Sequence, residues 1–403
     1  MRTKEKAPFS FPFPQEEENE KEKPMSLDFV YQAIIPGLPD DLALRCLAKL
    51  SHGYHGLVEC VSKKWRNIVR SSDFFHLKSR EGWCGDWLFV LTDNQTNIQW
   101  NAYDPEADRW HPLPRIPSAT CGYAHFGFSC VTIHNRFLVI GGHFCPNDTF
   151  IPPQENSSPT NDVMQFDPFK KQWSRLASMQ TKRSDFACAV VCDKVYVAGG
   201  WNSSSRRLDS AEVYDPLQDR WDDLPRLPIL LRDCFGVSYD GKFHVFKRKG
   251  DPSHQNLCLV FDPIDKMWHP VKDICLNVRL MNVITTTAGD HFYTITESDG
   301  NIVCARYNDQ QDWQALGKVP PVVLPNHSRL LESFSFGFTA LGRDLYVVGG
   351  KVIKWNEFIR TFDIVQLDLV RVCDVTVLPL RWRKTRPMHG TCGAVVACGC
   401  LKE

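Results

Sequence analysis

Three cysteines near the C-terminus, Cys392, Cys398 and Cys400, are the nearest approach in this 403-residue chain to a metal-ligand cluster. A structural zinc site wants two ligand pairs, and no second Cys-x-x-Cys-like pair or paired histidine accompanies them. The 13 histidines are dispersed without HxH or HxxxH spacing, and no GxSxG elbow, Walker loop or GxGxxG occurs. The residue types therefore call for no cofactor, no metal and no catalytic group. What remains is basic and aromatic. Arg183, Arg232, Arg279 and Arg329 each precede an apolar segment, and Arg206, Arg207, Lys247, Arg248, Lys354 and Arg360 fall in polar stretches nearby. Guanidinium groups grip carboxylate or phosphate in bidentate fashion, so this set predicts recognition of an acidic or phosphorylated protein segment. The alternative is that these arginines are solvated or brace neighbouring structure. Trp201 and Trp355 in the same stretches are candidate aromatic anchors, with internal packing as the competing role.

The elements that must position these residues repeat. Tyr214 to Trp221 (YDPLQDRW) recurs as Tyr103 to Trp110 (YDPEADRW), Phe166 to Trp173 (FDPFKKQW), Phe261 to Trp268 (FDPIDKMW) and a shortened Tyr307 to Trp313 (YNDQQDW). The aromatic leaders lie 63, 48, 47 and 46 residues apart, the period of a stacked β unit. Pro after Asp presets a turn, Asp can bond the backbone two residues on, and the flanking aromatics favour strands. A full unit spans Phe186 to Pro225: FACAVV, an Asp193-Lys194 turn, VYVA ending in Gly199-Gly200, a polar loop, AEVY, the Asp-Pro turn and a strand with Trp221. Four strands per unit make a propeller blade. Second-strand segments recur at 87–91, 137–140, 195–198, 243–246, 292–295 and 345–348, which predicts six blades. A double glycine follows only three of them, at Gly141, Gly199 and Gly349.

A helical segment precedes the strands. Pro39, Asp40 and Asp41 signal a helix start, followed by Leu42, Cys46, Leu47 and Leu50 on one face. Ser62 is placed to cap a later helix carrying Trp65, Ile68 and Val69. Some 45 residues of short helices bury little apolar surface, so a partner is expected to cover the remainder. PGLPDDLALRCLAKL followed by VECVSKKWRNIVRSSDFF resembles an F-box, the trihelical motif that docks on the Skp-type adaptor of a cullin–RING ubiquitin ligase. That resemblance implies adaptor-binding roles for Leu38, Pro39, Leu42, Leu47, Val61 and Trp65, with Trp65 alternatively in the motif's own core. The double-Gly, aromatic-Asp-Pro and Trp combination over residues 84 to 400 resembles the kelch repeat. Together the two resemble the plant F-box/kelch-repeat family.

The expected architecture is an all-β six-bladed kelch-type β-propeller behind a small all-α F-box and a disordered N-terminal tail. The boundaries are 1–33 for the tail, 34–80 for the F-box and 84–403 for the propeller. Blade one lacks a first strand, and GTCGAVVACGC near 390–400 resembles FACAVVC, so the C-terminal strand is expected to close the ring. Charge is balanced at 47 basic and 47 acidic residues, which gives no support for binding nucleic acid or a membrane surface. No secretory signal or membrane-length apolar run is present, so the chain is expected in the cytoplasm, the nucleus or both. The resemblance implies a non-catalytic substrate-recognition subunit of a Skp–cullin–F-box E3 ligase, carrying an unknown protein substrate. A non-degradative interaction scaffold is one alternative. A propeller enzyme is another, since some kelch propellers are oxidases; a copper site would need converging His and Tyr ligands, which the dispersed histidines do not supply.

Overall fold

The computed structural model describes residues 33–93, 98–117, 123–134, 136–146, 158–168, 170–203, 206–247, 257–272, 284–288, 291–298, 301–307, 313–319, 330–334, 336–356, 360–388 and 394–401. The predicted tail, most of the long stretch after Gly142, and Arg248, Arg279, Arg329 and Cys392 lie outside these residues.

Among the described residues four short α-helices come first: α1 (Asp40–Ala48), α2 (His55–Val61), α3 (Lys63–Val69) and α4 (Ser72–Arg80). Their starts follow the sequence signals. The backbone N–H of Trp65 donates to Ser62 Oγ at 3.0 Å and that of Phe74 to Ser71 Oγ at 3.2 Å, so each serine satisfies an orphan donor. Leu47, Ala48, Val58, Val69 and Phe74 form the small core. Lys78 is fully buried. Its ammonium donates to the carbonyls of Ala48 and Leu50 at 2.6 and 2.7 Å, neutralising the C-terminal end of α1.

Six four-stranded antiparallel sheets follow among the described residues. The first joins the C-terminal strand Ala394–Leu401 to Trp87–Asp93, Ile98–Asp104 and Arg109–Pro112. The second holds Ser129–Ile133, Arg136–Ile140, Val163–Asp167 and Gln172–Arg175, and the third Ala187–Val191, Lys194–Ala198, Ala211–Asp215 and Arg220–Leu224. The fourth runs from Cys234–Tyr239 to Met267–Lys272, the fifth from Ile284–Ala288 to Trp313–Lys318, and the sixth from Gly337–Leu341 to Arg383–Lys384. The innermost strands touch in cyclic order, with Gly337–Leu341 against Ala394–Leu401 and that strand against Ser129–Ile133. This is a β-propeller preceded by a small helical region.

The packing explains the composition of the second strands. Each sheet lies between two others, so both faces are apolar and the strand reads as a continuous hydrophobic run. Phe89, Leu91 and Trp100 pack on Phe137, Val139, Phe166 and Trp173 between the first two sheets. On the other face of the first sheet, Leu88, Val90 and Tyr103 meet Tyr346, Val348 and Val372 of the last.

The repeated motif is the clamp between neighbours. Trp173, Trp221 and Trp268 each donate their indole N–H to a carbonyl of the preceding blade's outgoing loop, Pro114, Ala177 and Pro225, at 2.8, 2.9 and 2.8 Å. Trp110 does the same to Arg386 at 2.9 Å, sealing the last blade to the first. In the two full-length Tyr-led copies, Tyr103 and Tyr214 donate to Asp108 and Asp219, whose same oxygens accept the backbone N–H of Arg386 and Ala177. The Phe-led copies have no hydroxyl and carry Lys171 and Lys266 at that turn position.

Two departures from expectation lie in the last unit and the loops. The segment Asp363 to Val377, expected to belong wholly to the sixth blade, is divided: Thr361–Gln366 forms an extra three-stranded sheet with Leu330–Phe334 and Lys351–Asn356. The blade's own third strand is Val370–Asp374. Without an Asp-Pro turn or its Trp, the third strand had no marker. A second small ribbon pairs Tyr123–Phe126 with His143–Pro146.

Because Trp221 is almost completely buried, two substitutions separate its bond from its bulk. Trp221→Phe should cost about 1 kcal/mol for the lost hydrogen bond, and Trp221→Ala about 3–5 kcal/mol, measured by urea unfolding.

Candidate protein-interaction surfaces

The helical region divides its apolar residues between two faces. Ala43, Leu47 and Ala48 of α1 point inward, while Leu42 is 46% exposed and Cys46 is exposed. Pro39, Leu42 and Cys46 stand at i, i+3 and i+7, one stripe along the helix. On α2, Leu57 is 67% and Val61 62% exposed, with Val58 inside. Leu38 is half-buried and Pro39 exposed. The adaptor-facing role expected of Leu47 is corrected: its 3% exposure makes it core, because α1 turns that side onto α4. Trp65 is half-buried, packs against the same core and donates its indole N–H to the carbonyl of Ile34 at 2.7 Å, which fits the core alternative. Leu57 on α2 and Leu50 just past α1 were not singled out as contact residues, yet both are exposed.

On the propeller, the loops after second and fourth strands are woven together. Ser184 and Trp201 exchange backbone hydrogen bonds at 3.0 and 3.1 Å, and the N–H of Gly200 donates to the carbonyl of Leu231 at 3.0 Å. Gly200 has φ +92°, and a Cβ there would sit 2.6 Å from the Ser184 carbonyl oxygen. Only glycine fits so close an approach at that φ.

This weave decides two residues for the internal alternative and against the binding role. Arg183 is not a surface cation: it is fully buried and its guanidinium donates to Glu212 Oε1 at 2.6 Å, to the carbonyls of Gly199 and Ser210 at 2.8 and 3.1 Å, and to Ser210 Oγ at 3.2 Å. Glu212, itself buried, also accepts the N–H groups of Gln180 and Thr181 at 2.7 and 3.1 Å. The pair stitches the loop leaving one blade to the third strand of the next. Burial lowers the Arg183 pKa and the Glu212 carboxylate opposes that shift. Trp201 is likewise interior at 1% exposure, donating to Asp185 Oδ2 at 2.8 Å. It is the aromatic floor under Arg232, whose guanidinium lies 5.2 Å from the ring. Arg206 and Arg207 are exposed and Arg232 is half-exposed. Trp355 lies on the strand Lys351–Asn356 of the extra sheet.

Ser184, His143 and Asp185 share residue types with a hydrolytic relay, and Ser184 Oγ lies 2.8 Å from His143 Nδ1. The hydroxyl is fully enclosed, and a Cβ on Gly127 would collide with it. Burial holds the His143 pKa below its usual value. The arrangement fastens loops.

The chain thus joins a small helical domain that bears exposed apolar residues to a β-propeller. The F-box domain model matches residues 35–77, and the Kelch motif model matches 124–180 and 182–228. The Arabidopsis thaliana F-box/kelch-repeat protein At1g16250 is 51% identical over 381 residues, covering 94% of this chain and 99% of that protein. F-box/kelch-repeat protein SKIP30 from the same plant is 28% identical over 91% of this chain and 96% of its own length. The chain belongs to the F-box/kelch-repeat proteins. The two Kelch matches coincide with the second and third sheets, where the double glycine and the Asp-Pro turn both survive.

Substitution separates framework from surface. Glu212→Ala leaves Arg183 as an unpaired buried cation and should cost about 3–5 kcal/mol, whereas Arg206→Ala or Arg207→Ala should stay within about 0.5 kcal/mol, both read from denaturant midpoints.

Proposed function

We propose that this protein is the substrate-recognition subunit of a Skp–cullin–F-box E3 ubiquitin ligase. The observation that carries the reading is the unpaired apolar stripe on α1 and α2 in a domain whose sequence matches the F-box. Leu42, Leu50, Leu57 and Val61 are exposed at a cost that a partner would remove: covering the exposed part of one such side chain is worth about 1 kcal/mol. Pro39, Leu42 and Val61 are the centre of this contact, with Leu38 at its edge. The adaptor would connect the chain to a cullin–RING ligase in the cytoplasm or nucleus.

The six sheets are six blades of one ring, with 84–403 as the propeller and 34–80 as the F-box. Its loop face would hold a protein target through Arg206, Arg207 and Arg232, whose charges suit an acidic or phosphorylated segment. Arg279, Arg329 and Trp355 complete the candidate set. The Arg232 guanidinium, already held over the Trp201 ring, would lose little side-chain freedom on binding. The mechanism is proximity. Holding the target beside a charged conjugating enzyme raises its effective concentration, and no side chain of this chain need react.

The adaptor contact is tested by co-purification. Leu42→Asp/Val61→Asp should weaken adaptor capture at least 100-fold with an unchanged circular dichroism spectrum; undiminished capture sinks the reading. Reversing Arg206, Arg207 and Arg232 to Glu should abolish target capture while adaptor binding persists. Ubiquitin-remnant profiling with and without the protein then separates a degradative receptor from a scaffold, which would leave remnants unchanged.

A further inference from the structure

The junction between the helical domain and the first blade holds a group of histidines that neither interaction surface uses. From the helical side come His52 and His55, whose rings meet edge to face at 4.8 Å. From the first blade come Trp87, 6.1 Å from the His52 ring, and His111, 5.4 Å from Trp87. Gly53 packs so tightly on the His111 imidazole that a Cβ there would collide with it. Ser51 Oγ donates to Asp104 Oδ2 across the same seam, and the Arg109 guanidinium lies 5.3 Å from the Tyr54 ring centroid. Lys171 reaches in from the second blade toward Gly56.

We propose that this seam is an acid-released latch: with His52 and His111 neutral, the helical domain is held on the first blade at a fixed angle, and protonation of these rings drives the two apart. The charges facing the seam explain why. The helical side supplies buried Lys78 and the carboxylate Glu59, which accepts from Arg70 at 2.6 Å. The first blade supplies Arg109 and Asp104, the latter already accepting from Ser51, and the second blade supplies Lys171. Three cations thus face two anions, both of which already accept hydrogen bonds, so a further proton is placed among like charges in a desolvated site.

Burial lowers the pKa of His52 well below its ordinary value, reinforced by the charges of His55, Lys78 and Lys171. His55, behind it, is lowered to about 3, first by burial and then by Lys78 and Lys171. Burial also lowers His111, with Asp104 opposing and Lys171 and Arg109 assisting. A freed imidazole returns toward about 6.5. Below that pH the undocked form binds more protons than the docked form, so docking is complete above it and weakens as pH falls. The docking constant should drop up to about tenfold per pH unit for each histidine released, about 100-fold for His52 and His111 together.

The test is hydrogen–deuterium exchange on the full-length protein, at pH 7.5 and 5.5 and corrected for intrinsic rates. Amides in 51–58 and 109–113 should exchange at least tenfold faster at pH 5.5, while strand Ala187–Val191 stays protected. A His52→Phe/His111→Phe chain should keep its protection at both values. Equal protection of the wild-type seam at both pH values overturns the proposal, as does simultaneous loss in Ala187–Val191, which marks whole-protein unfolding. A Phe variant that opens like the wild type, or a Gly53→Leu chain that stays closed at pH 7.5, overturns it equally.

Discussion

The constraint on which the structure depends is that no blade can exist alone. The second strands bury nearly every residue, with Phe137–Ile140, Val195–Ala198 and Leu345–Val348 all inside. A sheet with two apolar faces must find a sheet on each side, and six such sheets satisfy the last face only by meeting the first. That meeting is made by Ala394–Leu401 pairing with Trp87–Asp93 from Leu401 opposite Trp87 to Ala394 opposite Asp93. Side-chain packing alone is non-directional. Direction comes from the Trp indoles and the Asp carboxylates, which bind the backbone of the previous blade's outgoing loop. YDPLQDRW is therefore a joint between blades as much as a turn within one.

This constraint decides which loop residues are left for binding. A loop between blades must have its own N–H and C=O groups satisfied, and the ring satisfies them with whatever polar side chains stand nearest. Arg183 and Glu212 are consumed in this way, as are Ser184, Asp185 and Trp201. What reaches solvent is the residue one step further out: Arg206 and Arg207 on the loop that Leu208 pins down, and Arg232 resting on the buried Trp201. The framework fixes the positions of the surface cations through residues of the same chemical types.

Much of the fold was legible because it repeats. The Asp-Pro turns, the second-strand pattern and the C-terminal strand that matches FACAVV could each be read from residues alone, and Ser62 was recognisable as a cap from its place before Trp65. Which of the two roles open to Arg183 and Trp201 they take, binding or internal bracing, was not legible. Their types and spacing are those of a binding loop, and only the return of the chain through Glu212 and Asp185 buries them. Leu47 failed for a related reason: Leu42, Cys46, Leu47 and Leu50 share one broad helix face, and a single sequence does not say which half of it meets α4. In the histidine seam His52 and His55 are sequence neighbours, but nothing local marks them for His111, which only tertiary packing brings to them.

The exposed apolar residues close the argument about what is scaffold and what is surface. Leu217 and Ile264 are 86% and 92% exposed, more than any apolar side chain of the helices. Each is the residue after the proline of an Asp-Pro turn on a separate blade, fixed there by a carboxylate accepting its N–H, Asp215 and Asp262, at 2.9 Å. Single apolar tips on separate turns are ordinary surface. Leu42 and Cys46 on α1, with Leu57 and Val61 on α2, instead repeat at helical spacing on two consecutive helices whose other faces already fill a core of five buried residues. A domain so small has no second layer of its own to cover that stripe. The propeller completes itself by closing on its own first strand, whereas the helical domain has only one of its two apolar faces covered, and its function follows from the other.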